Sequence, residues 1–192
     1  MRILLCIVAS KSWTLNSLDI KSAFLQGEEI DRIVYIEPPP EANTNKLWQL
    51  RKCVYGLSDA PRRWYVKLRN ELVKLGVAVS EYDSSLFYFR KGSELIGIMA
   101  CHVDDIVWGG TNEFRDSVIA KVCQVFQISK KCTQAFQYIG INMSKKDDGS
   151  IHIDQSSYAN RLSFIELSPE AISDKDRSLK EKEKSILRQC VN

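Results

Sequence analysis

The chain has 192 residues, of which 44% are hydrophobic, so it is long enough to bury the core of one domain or slightly more. Its formal net charge of +3 is too small to indicate nucleic-acid binding by itself. No apolar run approaches the about 20 residues that a membrane span requires, which argues against a membrane partner. The six cysteines are scattered without a C-x-x-C pair, which favours a reduced intracellular protein, cytoplasmic or nuclear, over a disulfide framework or a zinc site.

The first half of the chain is predicted to alternate short elements with loops. Residues 2–13 are typical of the end of a core helix, and residues 14–20 of a strand that delivers Asp19 to its end. The proline-rich stretch 37–45 is predicted to be a loop. Residues 58–76 carry a clear helix signal, with Ser58 or Asp59 as the N-cap, Pro61 in the first turn and Gly76 at the exit.

The second half is predicted to be rich in hairpins. In chain order we expect a strand pair over 85–103 turning at Lys91-Gly92, a returning strand over 106–109, a helix over 114–127, a hairpin over 135–155 turning at Asp148-Gly149, and a helix over 156–167. This mixture indicates an α+β fold with an antiparallel sheet backed by helices. The predicted domain covers residues 1–165, and residues 166–192 are predicted to be a charged linker running into a truncated helix.

Charge is unevenly distributed along the chain. Residues 51–74 carry seven Lys or Arg against two acidic residues, whereas residues 81–120 carry seven Asp or Glu against three basic residues. A basic flank beside an acidic centre suits a site that holds cations and a polyanion together, although ordinary solvated helix faces produce the same blocks.

The segment CHVDDIVWGG, residues 101–110, places two adjacent aspartates between apolar runs. Two carboxylates near an apolar sheet are costly unless a cation neutralises them. Two interpretations are open from this stretch, a solvated Asp-Asp turn and a metal site. Asp19, at the end of its own predicted strand, adds a third hard oxygen ligand to Asp104 and Asp105 and favours Mg²⁺.

Four ordered motifs carry a resemblance to a known family. LDIKSAFLQG, VYGLSDAPRRWY, HVDD and YIGI occur in the order and approximate spacing of the reverse transcriptases of copia-type (Ty1/copia) retrotransposons, and the resemblance covers about residues 2–165. It implies a polymerase palm in which Asp19, Asp104 and Asp105 are the catalytic, metal-binding carboxylates. The backbone carbonyl of Ile20 is implied as a further ligand of Mg²⁺, with Mn²⁺ as the alternative ion.

The resemblance also implies contacts to the nucleotide and to the primer–template. Phe24 matches the steric-gate position that excludes a ribose 2′-hydroxyl, although a plain core aromatic explains the same residue. The other implied contacts are Tyr55 and Gly56 beside the incoming nucleotide, Arg62, Arg63 and Lys67 at phosphates, Tyr138 and Gly140 in a primer-gripping hairpin, and Lys130 or Lys131 near the pyrophosphate. A solvated basic face explains the three cations of the 58–76 helix equally well.

Two departures from the family pattern qualify the expected activity. His102 stands where family members usually have Tyr, and strand alternation predicts that it shares a face with Asp104 near the metals and primer. The expected fingers are incomplete and only the start of a thumb is present. We therefore expect an RNA-directed DNA polymerase palm, acting on an RNA or DNA template with primer and a dNTP, together with the remaining Pol segments (fingers, ribonuclease H, integrase). The alternative is a catalytically inactive, transposon-derived remnant that binds nucleic acid or protein.

Overall fold

The computed structural model describes residues 1–162 together with residues 178, 181, 184 and 185. The helical segments are α1 (Arg2–Ser10), α2 (Ala23–Gln26), a 3₁₀ turn (Pro40–Ala42), α3 (Ala60–Lys74), α4 (Asn112–Phe114), a π-turn (Arg115–Ile119), α5 (Ala120–Val125) and α6 (Ser156–Ala159). The strands are β1 (Asn16–Ile20), β2 (Tyr35–Ile36), β3 (Trp48–Gln49), β4 (Ala78–Val79), β5 (Leu86–Lys91), β6 (Glu94–His102), β7 (Asp105–Gly110), β8 (Ile128–Thr133), β9 (Ala135–Tyr138), β10 (Ile141–Lys145) and β11 (Ile151–Asp154).

The centre of the fold is a six-stranded sheet with the order β4-β5-β6-β7-β1-β8, and each neighbouring pair in it is antiparallel. A three-stranded sheet, β11-β10-β9, and a two-stranded ribbon, β2-β3, complete the strands of the described residues. The predicted α+β class with an antiparallel sheet is therefore confirmed.

Both faces of the central sheet are covered, which explains why the middle of β6 is buried on each side. One face, here called the helix face, packs on α3 and on the helical segment 112–125 through residues such as Met99 and Ile106. The other face packs on α1 and the three-stranded sheet through Ile98, Ala100 and Val107. The predicted alternation of β6 side chains is thus confirmed over its buried residues.

Glycine allows the helix-face layers to approach closely at one point. A Cβ added to Gly97 would lie 2.1 Å from Cγ of Phe114, well inside van der Waals contact. Phe114 itself is fully buried and stacks near Phe89 and Trp108, with ring centroids 6.2 and 6.0 Å away. The missing side chain at position 97 therefore fixes the distance between β6 and the segment 112–125.

The helices before the centre of the chain match the predictions closely, with two corrections. The first helix ends at Ser10 rather than near residue 13. The helix predicted within residues 58–76 spans Ala60–Lys74, with Asp59 at its N-cap. The Asp59 side chain makes no capping hydrogen bond, because its carboxylate binds Arg32 at 2.7 Å and Arg63 at 3.0 Å.

The region after the central hairpin differs more from the predictions. The helix predicted over 114–127 contains the π-turn and ends at Val125, and the following residues form β8, an edge strand that was not predicted. The predicted hairpin over 135–155 is a three-stranded sheet, because an additional turn forms at Ile139-Gly140. The predicted helix over 156–167 is seen as Ser156–Ala159. Residues 160–162 follow it and are not helical. Residues 163–167, and most of the linker predicted over 166–192, lie outside the described residues.

Candidate active site

The two adjacent aspartates lie at the tip of the β6–β7 hairpin. β6 ends at His102 and β7 begins at Asp105, so Val103 and Asp104 form the turn, with Val103 at φ +55°. A β-branched residue is strained at positive φ, so the surroundings must hold it there. The indole Nε1 of Trp64 and the Cys101 thiol, at 3.3 Å, both donate to the Val103 carbonyl oxygen.

The turn is also tied to β1. The Ile20 amide donates to the Asp104 carbonyl at 2.9 Å, and Asp19 pairs in register with Asp105. The prediction that Asp19 and the Asp-Asp pair come to neighbouring strand ends is therefore confirmed at the level of the backbone.

The register places four charged or titratable residues in one row across four strands. His102 is opposite Asp105, Asp105 is opposite Asp19, and Asp19 is opposite Lys130 of β8. Directly opposed residues point to the same face of a sheet, so the two carboxylates lie between an imidazole and an ammonium group. The predicted shared face of His102 and Asp104 stays a prediction, because Asp104 belongs to the turn and not to β6. The register does set His102 beside Asp105.

The carboxylates perturb one another. Burial first, and then the charges of Asp104 and Asp19, raise the pKa of Asp105, whereas His102 lowers it. Burial also raises the pKa of the Cys101 thiol to about 12, and Asp104 and Asp105 add to that rise. The tip of the hairpin is therefore a partly dehydrated region of concentrated negative charge, which a bound cation would relieve.

The donor set fits a hard divalent cation, because all three side chains are carboxylates. Among the residues that the structure describes, no three His, Cys, Asp or Glu side chains are grouped closely enough to hold a metal ion. The shared metal between Asp19 and Asp104, and the carbonyl of Ile20 as a ligand, stay predictions.

Phe24 and Tyr55, the predicted nucleotide contacts, lie against each other. Their ring centroids lie 4.6 Å apart with the planes at 57°, and Phe24 is 7% exposed whereas Tyr55 is 74% exposed. Both rings line a pocket of about 320 Å³ together with Leu25 and Val54. Phe24 is thus a core residue and a pocket wall at the same time. Gly56 follows at φ +97°, a conformation that favours glycine at this turn.

Two of the three predicted phosphate-binding cations of α3 are neutralised within the chain. Arg63 binds Asp59 at 3.0 Å, also binds Asp31, and donates to the Glu29 carbonyl at 2.6 Å. Lys67 binds Glu71 at 3.0 Å. Arg62 is exposed, and no ion pair within the described part of the chain involves it. The expected phosphate-binding face therefore rests on Arg62 more than on the other two cations.

The predicted primer-gripping residues occupy different environments. Tyr138 of β9 is 3% exposed and packs in the core between the central and the three-stranded sheet. Burial, with added effects of Cys101 and Asp105, raises its pKa, so the ring lies close to the aspartate hairpin. Gly140 is exposed in the adjoining turn at φ +74°, beside Ile139, which is 48% exposed. Tyr138 is therefore a core residue, and the Ile139-Gly140 turn is the accessible part of the predicted primer-gripping segment.

Sequence reasoning missed Trp64 as a support of the aspartate turn. Its only signal was a place on the apolar face of α3, which does not indicate that the indole reaches Val103. It also missed β8, because ISKKCT is short and lacks apolar alternation.

Comparison with known proteins agrees with this architecture. The family described as "Reverse transcriptase (RNA-dependent DNA polymerase)" matches residues 1–167. The retrovirus-related Pol polyproteins from transposons RE1 and RE2 of Arabidopsis thaliana are 33% and 34% identical, each over 82% of this chain. The putative transposon Ty5-1 protein of Saccharomyces cerevisiae is 27% identical over 73% of the chain.

The chain spans 11% of the length of the two Arabidopsis relatives and 46% of the yeast relative. The matched region includes the aspartate hairpin, the strand that carries Asp19 and the helix that carries Trp64. The chain belongs to the reverse transcriptase family, among the Pol polyproteins of copia-type retrotransposons.

Proposed function

We propose that this chain forms the palm of an RNA-directed DNA polymerase, with Asp19, Asp104 and Asp105 as its catalytic carboxylates. The observation that carries the proposal is the register of β1 and β7, which sets Asp19 directly opposite Asp105 at the turn that contains Asp104. The raised pKa of Asp105, caused by burial and then by its two acidic neighbours, supports a cation-binding role for the same cluster.

In this proposal the three carboxylates hold Mg²⁺, or Mn²⁺ in its place. Three negative charges do not neutralise two divalent ions, so substrate phosphates complete the coordination. When bound, such ions lower the pKa of a primer 3′-hydroxyl and stabilise the charge on the departing pyrophosphate. The chain itself holds Asp104 and Asp105 at the tip of the β6–β7 hairpin and Asp19 beside it on β1. Trp64, Cys101 and Ile20 fix the turn through hydrogen bonds.

The pocket beside Phe24 and Tyr55 is proposed to receive the sugar and base of the incoming dNTP. Phe24 is anchored in the core, so its ring is a rigid wall that a ribose 2′-hydroxyl would meet. Tyr55 is free on one side for contact with the nucleotide. Arg62 and the Ile139-Gly140 turn are proposed to contact the primer–template, with His102 beside the primer end.

The proposed setting is intracellular, and the proposed partners are an RNA or DNA template with its primer and the other segments of a Pol polyprotein. The test is a primer-extension assay on a chimera in which this chain replaces the matching segment of a full-length copia-type polyprotein. We expect Mg²⁺-dependent extension that Asp104→Asn abolishes. Extension that persists in the Asp104→Asn chimera would remove the carboxylate cluster from the mechanism.

A further inference from the structure

A groove lies on the helix face of the central sheet, at the edge formed by β1 and β8. Its main cavity, of about 530 Å³, lies between these strands and the segment 112–125. The wall is apolar where Leu18, Ile119 and Ala120 meet. The volume is in the range of small-molecule sites in proteins.

A smaller cavity of about 210 Å³ continues the groove. It shares Asn16, Trp108, Arg115 and Thr133 with the main cavity, and it adds Asn112 and other polar residues. The two cavities together, here called the β1–β8 groove, have an apolar end and a polar end. A groove of this kind suits an amphipathic ligand.

Two features of the wall are unusual for a purely structural surface. The segment 112–125 forms its π-turn at Arg115–Ile119, and both of these terminal residues line the groove. Such turns are rare and occur frequently at functional sites. In addition, the indole nitrogen of Trp108 is buried without a hydrogen-bond partner among the described residues, and unmade buried hydrogen bonds are costly.

The charge of the groove is positive. Two cations, Arg115 and Lys131, and one acidic residue, Asp116, line the main cavity. Asp116 binds Arg115 at 2.8 Å. Lys131 makes no ion pair within the described residues, so an anion in the main cavity would meet an unpaired cation as well as the Arg115–Asp116 pair. We propose that the β1–β8 groove binds a small aromatic anion, a carboxylate or sulfonate whose ring enters the apolar end.

The groove and the aspartate row lie on opposite faces of β1, because Leu18 belongs to the core of the helix face and Asp19 alternates with it. The proposal therefore stands independently of the polymerase function.

The test uses the full chain and anilinonaphthalene sulfonate as the probe, with uncharged phenylnaphthylamine as the matched neutral compound. We expect fluorescence titration to show tighter binding of the sulfonate. Ala120 is exposed and lines the cavity, so the larger side chain introduced by Ala120→Phe should fill it. This variant should weaken sulfonate binding at least about tenfold. Lys131→Gln should weaken it about threefold to tenfold. Lys121→Gln, an exposed cation of the same helix outside the groove, should leave binding unchanged.

Cysteine protection gives a second readout that locates the probe. Cys123 and Cys132 line the groove and are partly exposed, whereas Cys6 is exposed on α1. Bound sulfonate should slow alkylation of Cys123 and Cys132 by iodoacetamide, measured by mass spectrometry for each peptide, and leave Cys6 unaffected. Equal protection of all three thiols, equal affinity for the neutral compound, or full affinity in both Ala120→Phe and Lys131→Gln would overturn the proposal.

Discussion

Replacing Trp64 with Phe tests how the aspartate turn is held. Trp64 is 1% exposed, and its indole N–H donates to the carbonyl of Val103, the strained residue beside Asp104. The substitution removes that hydrogen bond, at a cost of about 1 kcal/mol, and leaves a small cavity in the core, at a cost of about 1–2 kcal/mol. We expect the free energy of unfolding to fall by about 2–3 kcal/mol.

Trp108→Phe is the matched control, because it removes the same atoms from a ring that is 7% exposed and whose indole nitrogen has no hydrogen-bond partner among the described residues. Its cost should be about 1 kcal/mol or less, since removing an unpaired buried donor offsets part of the lost packing. Urea unfolding followed by far-ultraviolet circular dichroism gives both values. A Trp64→Phe cost equal to or below that of Trp108→Phe would refute the assignment of Trp64 to the turn.

Three further predictions concern charges around the site. Arg32 and Arg63 lower the pKa of Asp59 to about 2, so this carboxylate stabilises the folded chain above its unfolded pKa of about 4 and that contribution is lost as the pH falls through 2. Thermal melts of Asp59→Asn should therefore lose less stability than the parent chain between pH 4 and pH 2, and parallel curves would contradict the assignment. Replacing Arg62, Arg63 and Lys67 together with Ala should lower the primer–template affinity and its dependence on salt. Arg62→Ala alone should produce most of both effects, as measured by fluorescence anisotropy across salt concentrations. An effect confined to the triple variant would show that the ion-paired cations also bind phosphate. In the polyprotein chimera, His102→Tyr should raise the rate of primer extension, because it restores the phenol of the family pattern opposite Asp105; an unchanged or lower rate would show that His102 serves this chain as well as Tyr.

The parts of the fold that were predictable have local signals. The helix Ala60–Lys74 has a proline in its first turn and an apolar stripe, and the hairpin around residues 91–93 has a glycine turn. The aspartates were predictable from motif order, which placed Asp19 and Asp105 on strands that prove to be neighbours. Side-chain alternation holds as far as His102 and stops there, because Val103 and Asp104 form a two-residue turn that the hydrogen bond from Trp64 supports.

The parts that were not predictable depend on distant contacts. The strand β8 exists because Lys130 and its neighbours pair with β1, about 110 residues away in the chain, and its own sequence has little strand character. Likewise, one of the ion pairs of Arg63 joins α3 to Asp31, which lies outside the helix, and composition alone counts this cation as free. The pair between Lys67 and Glu71 is local, because both residues belong to α3.

The most direct test of the metal site is Mn²⁺ binding by the full chain, followed by electron paramagnetic resonance in the presence of primer–template and dNTP. We expect bound Mn²⁺ whose affinity falls at least about tenfold in each of Asp19→Asn, Asp104→Asn and Asp105→Asn. Asp116→Asn, which changes a carboxylate on the helix face that binds Arg115, should bind Mn²⁺ like the parent chain. Unchanged Mn²⁺ affinity in the three site variants, or an equal loss in Asp116→Asn, would contradict the assignment of Asp19, Asp104 and Asp105 as the metal-binding carboxylates.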